Sequence, residues 1–364
     1  MKKTLLACAL LAAASSAMAA DVTLYGVADV GLRYSHTSTE HKGGSATAAK
    51  TSSDKTEMMS GQNAGSRFGL KGAEDLGNGV KVGFQLEGQY NVDDGTLKNE
   101  KFFHRQSSLW VAGDFGRVEF GRMGTLSSAA GTYDLFFGTG DAFDGGDGLV
   151  VGALSYDARR DNTVTYQTPT FAGVTGYAQY SFGKGTEKAQ EGSNERYMGV
   201  GLKWQAGALT IAGTAETVHW ANNADQFEDK VVYGLSANYD FGVTRIFGAA
   251  QYVDGADNLG GYYDANGIKG CALQAGAVTP VPGGSLTVSA GWADGEHEPG
   301  KNAAKDFDLS AWSVSARYVR PFSKTFSVYC GAGFQQIKRD FVAAGSKTEK
   351  SQTTQVYAGL TKKF

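Results

Sequence analysis

The chain has 364 residues, of which 51 are Gly, roughly double the ordinary share, while Pro (5) and Cys (3) are scarce. Seventeen Tyr and twenty Phe are too many for a disordered chain, no G-x-y period supports collagen, and three cysteines cannot staple a small domain. Lys+Arg of 34 against Asp+Glu of 37 gives a net charge of −3, so no basic field points to nucleic acid. Beyond the N-terminal segment no apolar run approaches the length of a membrane helix, which excludes a helical membrane protein but not a membrane β-barrel.

The first segment reads as an export signal. Lys2 and Lys3 precede the apolar stretch Leu5 to Ala14, and Ala17-Met18-Ala19 supplies small-x-small cleavage chemistry, so residues 1–19 are expected to be removed. Removal takes two positive charges off the chain and leaves Cys271 and Cys330. Placed three strands apart in a sheet, these lie about 14 Å from each other, beyond disulfide reach, so free thiols are expected.

From Val22 onward apolar and polar residues alternate with period two, the pattern of strands with one apolar face. Val80, Val82, Phe84 and Leu86 oppose Lys81, Gly83, Gln85 and Glu87. Trp312, Val314, Ala316 and Tyr318 oppose Ser313, Ser315 and Arg317. The helical spacing of three and four is missing. In chain order the strand segments are 22–34, 64–73, 79–91, 102–113, 116–123, 162–169, 173–182 and 195–205. They continue with 208–219, 229–240, 243–253, 269–279, 285–293, 309–320, 325–338 and 353–364. Tight glycine-marked turns such as Asp75-Leu76-Gly77-Asn78-Gly79 interleave with long polar loops at 35–63, 92–101, 124–161, 183–194, 220–228, 254–268, 294–308 and 339–352. This strict alternation describes one all-β domain over residues 20–364, a 16-stranded antiparallel transmembrane β-barrel with turns on one rim and loops on the other.

The distribution of side chains says which face is wet. Bulky charged groups and glycines share one face, while Phe, Trp, Val and Leu run along the other almost to the strand ends. Tyr180, Phe182, Trp204, Tyr239, Phe241, Phe322 and Phe364 read as an aromatic girdle near the turn rim. A two-sheet sandwich would bury its rings and use Greek-key crossovers.

A barrel this wide cannot be filled by its own side chains, so something must narrow it. The longest connection, 124–161, carries Tyr133, Leu135, Phe136, Phe137 and Phe143, rings that a solvated loop would not expose. It is expected to fold inward as a constriction loop, with Asp134, Asp141 and Asp144 as its acidic edge. Facing it, Arg67 and Lys71 point inward if Phe68 and Leu70 meet lipid, and Arg105, Arg159 and Arg160 extend the basic wall. Arginines keep their charge at any relevant pH, and a charged neck sorts solutes by size and sign.

At these residues the chain resembles the Gram-negative general diffusion porins of betaproteobacteria and neisseriae. The resemblance rests on Val22-Thr23-Leu24-Tyr25-Gly26 with Asp29, on Ser66-Arg67-Phe68-Gly69-Leu70-Lys71-Gly72, and on Glu74-Asp75-Leu76-Gly77. It continues through Arg105-Gln106, Phe120-Gly121-Arg122, Tyr133-Asp134, Arg159 with Asn162 and Tyr166, and Ala358-Gly359-Leu360 before Phe364. It implies a constriction cluster at Arg67, Arg105 and Arg159, a homotrimer, and a subunit contact between Arg122 and Glu100. Phe364 resembles the signal read by barrel-insertion machinery. The loop departs from the family at Asp141-Ala142-Phe143-Asp144-Gly145-Gly146-Asp147, and Arg160 doubles the third arginine.

The expected function is a water-filled outer-membrane channel, surrounded by lipid, for passive diffusion of small hydrophilic solutes and ions, with a weak anion preference and no cofactor. A substrate-specific channel and a surface adhesin acting through loops 35–63 and 294–308 are the alternatives. Enzyme readings find little purchase. His36, His41, His104, His219 and His297 lack metal-ligand spacing, no motif assembles a nucleophile with its base, and Gly199-Val200-Gly201 lies within a strand. Asp141 to Gly148 clusters oxygens that could take calcium, but without the EF-hand order.

Overall fold

Among the described residues seventeen strands form one antiparallel sheet. They are β1 (Thr23–Lys42), β2 (Ala49–Ser60), β3 (Arg67–Gly77), β4 (Val80–Gln89), β5 (Gln106–Gly113) and β6 (Gly116–Gly124), followed after the short helix α1 (Phe136–Gly140) by β7 (Arg159–Gln167) and β8 (Val174–Ser181). The second half comprises β9 (Arg196–Ala206), β10 (Leu209–His219), β11 (Lys230–Asp240), β12 (Arg245–Leu259), β13 (Tyr262–Val281), β14 (Gly284–His297), β15 (Phe307–Pro321), β16 (Phe326–Phe341) and β17 (Lys347–Lys363). The structure is a computed structural model that describes residues 22–43, 49–98, 101–128, 131–143, 154–155, 159–183, 195–220, 229–297, 306–341 and 347–364. The expected export signal, Glu100 and Asp144 fall outside these.

Pairing of β1 with β17, in register from Val27 with Lys363 to Lys42 with Thr348, closes the sheet into a barrel. On its other side β1 meets two strands end to end. Its upper part pairs β2, and Thr23 to Val27 pair β3 through Lys71 to Arg67. β2 and β3 therefore share one place, and the barrel has sixteen. The break between them, residues 61–66, turns inward. Ser66 accepts the backbone N–H of Asp29 at 3.0 Å, and Asn63 donates to Thr361 at 2.9 Å.

The faces follow the period-two pattern. Leu235, Leu273, Val288, Trp312, Val314, Val356 and Leu360 are exposed on the outside, where acyl chains cover them, while Gln274, Thr287, Ser289, Ser313, Ser315 and Gln355 point inward. A closed ladder leaves no unpaired strand edge in the lipid, the condition for a sheet to cross a bilayer. Cys271 and Cys330 are free and exposed on the outer face.

Three expectations change. Segments assigned to loops 35–63, 254–268 and 339–352 are in large part strand, and 294–308 gives its ends to β14 and β15, because β1 with β2, β12 with β13, and β14 to β17 extend past the apolar belt as polar ribbons. The turn between β12 and β13 is only Gly260-Gly261. Tyr180 and Phe182, whose rings meet edge-on at 4.9 Å, stand at the long-loop end of β8. Trp204, Tyr239, Phe241, Phe322 and Phe364 mark the turn rim, so the rings form two girdles rather than one.

Candidate functional site

The register of β3 to β7 gathers one charged wall. Arg67 stands opposite Gln89, and Glu87 lies between Gly69 on β3 and Gln106 on β5. All of these side chains project into the lumen. Glu87 is the hub. It accepts Arg105 Nε at 2.5 Å and the Tyr25 hydroxyl at 2.9 Å, and lies 3.8 Å from Arg67 Nε. Arg67 also donates to the carbonyl of Gly65 at 3.0 Å, Arg105 to Gln89 at 3.3 Å, and Arg159 to the carbonyl of Arg105 at 3.0 Å. Lys71 is exposed, with its ammonium 5.2 Å from the centre of the Tyr25 ring. Among the described residues, three guanidiniums thus gather near the Glu87 carboxylate, two of them directly on it, and a planar fork with five donors is the group best able to hold such geometry.

Arg160 takes another direction. As adjacent residues of β7 the two arginines point to opposite sides, and the slip in β6–β7 pairing between Gly121 and Met123, with a positive φ of 52° at Asn162, separates their register from that of the rest of the strand. Arg160 pairs with Glu195, lies 5.7 Å from the ring centre of Tyr197, and is almost fully buried. It does not extend the wall formed by Arg67, Arg105 and Arg159.

Across the lumen the long connection folds inward along the wall from β9 to β15. Ser127 donates its backbone N–H to Glu216 at 3.1 Å, Asn238 donates to the carbonyl of Thr139 at 2.8 Å, and Ser155 and Gln251 exchange two hydrogen bonds at 2.7 and 2.8 Å. At its far end Phe143 lies under the Arg317 guanidinium, 4.6 Å from carbon to ring centre. α1 seats Phe136 against β11 at Gly234, where a Cβ would come within 2.7 Å of the ring; any larger residue would push the helix off the wall. Tyr133 anchors the start of the loop by donating to Glu119 at 2.7 Å, with Arg117 on the same oxygen at 2.7 Å. Burial and the adjacent Glu119 charge raise the Tyr133 hydroxyl pKa, which keeps the donor protonated.

The loop acids are not equivalent. Asp141 faces the wall, accepting Gln274 at 2.8 Å and the N–H of Phe143 at 2.9 Å, so it is not a lumen edge. Asp134 is half-buried and accepts the N–H of Gly138 at 2.9 Å. Arg122 lies on the outer face, where it donates to Asp161 at 2.6 Å and to the carbonyl of His104 at 2.8 Å, while Lys101 meets the same Asp161 at 2.7 Å. His104 is buried among Arg159, Arg122 and Arg105. Burial first, then those charges, lower its pKa to about 4.

Glu87, Tyr25 and Gln89 are not among the candidate site residues of the sequence, where Glu87 stands only in the alternation of one strand and Tyr25 only in a family motif. Glu87 occupies a polar position of the β4 alternation, which marks it as inward-facing but not as the centre of the cluster.

An apolar exterior, a charged interior and an infolded loop across a closed barrel define a pore-forming outer-membrane protein. A sequence profile of the Gram-negative porins matches residues 6–340. An outer membrane porin protein of Bordetella pertussis is 32% identical over 404 residues, covering 100% of both chains. Outer membrane porin protein 32 of Delftia acidovorans is 31% identical over 366 residues, covering 99% of this chain and 95% of its own. Among solved structures, the anion-selective porin from Comamonas acidovorans superposes with a TM-score of 0.65 at 25% identity, over 95% of this chain and 100% of that one. The chain belongs to the Gram-negative porin family: it is an outer-membrane channel for passive diffusion.

Proposed function

We propose that the neck between the arginine wall and the infolded loop admits small hydrophilic solutes and ions and weakly favours anions. The observation that carries this reading is the gathering, among the described residues, of Arg67 and Arg105 on the carboxylate of Glu87 with Arg159 on the carbonyl of Arg105. Three positive charges against one leave that wall net positive, and low-dielectric protein on either side concentrates the field in the water between. With Asp141 turned to the wall, fewer loop charges oppose it. The likeness to an anion-selective porin points the same way.

The rest of the reading comes from the motif resemblance. Three copies assemble, with Arg122 and Glu100 near the contact. Residues 1–19 direct export, and Phe364 presents the chain to insertion machinery. No bond chemistry is involved, since downhill diffusion needs only exclusion and electrostatics. The test is planar-bilayer conductance with the reversal potential read in a salt gradient. Replacing Arg67, Arg105 and Arg159 by Gln is expected to move the reversal potential toward the cation limit, and an unmoved potential refutes the wall. Conductance closing in three equal steps supports the trimer; single steps only refute it.

A further inference from the structure

Near the long-loop rim, the inner faces of β13, β14 and β15 carry apolar residues where a wetted wall would be polar. Ile268, Ala272, Ala293, Leu309 and Ala311 point inward there and are almost completely buried. The tip of the β12–β13 ribbon covers them. Pairing of these strands slips between Val253 and Ala256 and again between Ala256 and Asn258, and bulges of this kind bend a ribbon sharply. The bend delivers Leu259-Gly260-Gly261-Tyr262 across the wall inside the barrel. Leu259 has no exposed surface. A Cβ at Gly260, where φ is +63°, would lie 2.7 Å from the Cβ of Ala311, and one at Gly261 would lie 2.4 Å from Nε2 of Gln335 on β16.

A latch holds the tip. Arg339 on β16 donates to the Tyr262 hydroxyl at 2.8 Å, places its guanidinium carbon 4.5 Å from the centre of that ring, and pairs with Glu349 on β17. Phe307 on β15 packs edge-on against Tyr262 at 5.3 Å and stacks on His297 at 4.8 Å. These contacts reach from β14 to β17, and the buried cluster beneath the tip continues to Phe136, Phe137 and Leu154 of the infolded loop.

We infer that the β12–β13 ribbon is a second size-selecting element, latched by Arg339 at the long-loop mouth, which turns away bulky uncharged hydrophilic solutes before they reach the arginine wall. A ribbon lying face to face on the wall takes up about 10 Å of the lumen on that side. The inference uses the channel but not its anion preference.

Polymer exclusion provides the test. Single-channel conductance is measured with graded polyethylene glycols added to one side at a time. The long-loop side is expected to exclude smaller polymers than the turn side. Replacing residues 257–267 by an Asn-Gly turn should equalise the two cut-offs and raise conductance about 1.5-fold, by freeing that layer. Gly260→Val, which drives methyls into Ala311, should act in the same direction with the ribbon still present. Neither change should move the reversal potential, because the arginine wall is untouched. Equal cut-offs in the parent chain, or variants that leave them unequal, overturn the inference. A parent chain without any conductance would instead overturn the channel.

Discussion

Arg159 donates its Nε–H to the backbone carbonyl of Arg105 at 3.0 Å, while the Arg105 side chain is itself held on Glu87. One arginine thus steadies the backbone from which the next projects, and among the described residues Glu87 is the carboxylate that holds Arg105 and approaches Arg67. Like charges in such proximity repel, so the wall depends on Glu87 both for its geometry and for its charge.

Glu87→Gln is therefore expected to strengthen anion preference and weaken the barrel together. The reversal potential should move toward the anion limit as the wall gains a net positive charge. Stability should fall by about 1–3 kcal/mol, because the amide keeps one acceptor oxygen but turns an NH2 toward the donors that met the other. Bilayer recordings and thermal unfolding in detergent read the two effects separately, and a shift toward cations would contradict the assignment of Glu87 as hub.

Arg159→Gln and Arg160→Gln should separate cleanly, although the residues adjoin. The first removes a charge from the wall and shifts the reversal potential. The second breaks a buried pair with Glu195 and should lower the melting temperature while leaving selectivity close to the parent value. Equal shifts in selectivity would show that the two side chains are not parted as described.

His104 gives the barrel a dependence on acid. Its pKa is about 4 in the folded chain against an ordinary 6.5, so between these values the unfolded chain binds the proton and the folded one does not. Its contribution to stability is complete above pH 6.5 and is lost as pH falls toward 4. The difference in melting temperature between the parent and His104→Gln should change across that window and be flat above pH 7. A difference constant from pH 7 to 4 would argue against a buried neutral ring.

Tyr133→Phe removes the hydroxyl that ties the infolded loop to Glu119 and leaves the ring in place. The loss of one hydrogen bond to a charged group, about 1.5–3 kcal/mol, should loosen the loop. Open-channel current noise should rise and voltage-driven closure should set in at lower potentials. Noise identical to the parent would mean that the remaining staples suffice.

The barrel was legible from the alternation, since a sheet with one face in lipid writes its period into the sequence wherever the bilayer reaches. Beyond the lipid both faces are wet and the period vanishes. Ala49–Ser60, almost entirely polar, therefore reads as loop and yet pairs with β1 from Ala49 to Ser60. The turn Gly260-Gly261 was hidden for the same reason, inside a stretch whose apolar members cover an inner wall. Arg67, Arg105 and Arg159 could be found from motifs. Glu87 could not, because one acid among alternating polar residues resembles any other lumen residue. The parting of Arg159 from Arg160 follows from the alternation of β7, but their register relative to Thr163 depends on a slip in pairing that no local pattern announces.

The seam between β1 and β17 carries its own consequence. Gly26 and Phe364 exchange both backbone hydrogen bonds, at 2.9 and 3.0 Å, and Thr361 reaches Asp29 across 332 positions of chain. Loop-closure entropy for such a contact must be met before any of its ladder forms. Until the last strand arrives, both borders of the sheet present raw backbone donors and acceptors, a template for misjoining with other chains. The cylinder is thus held shut by a stitch between strands far apart in the chain, and chaperoning in transit has that stitch to protect.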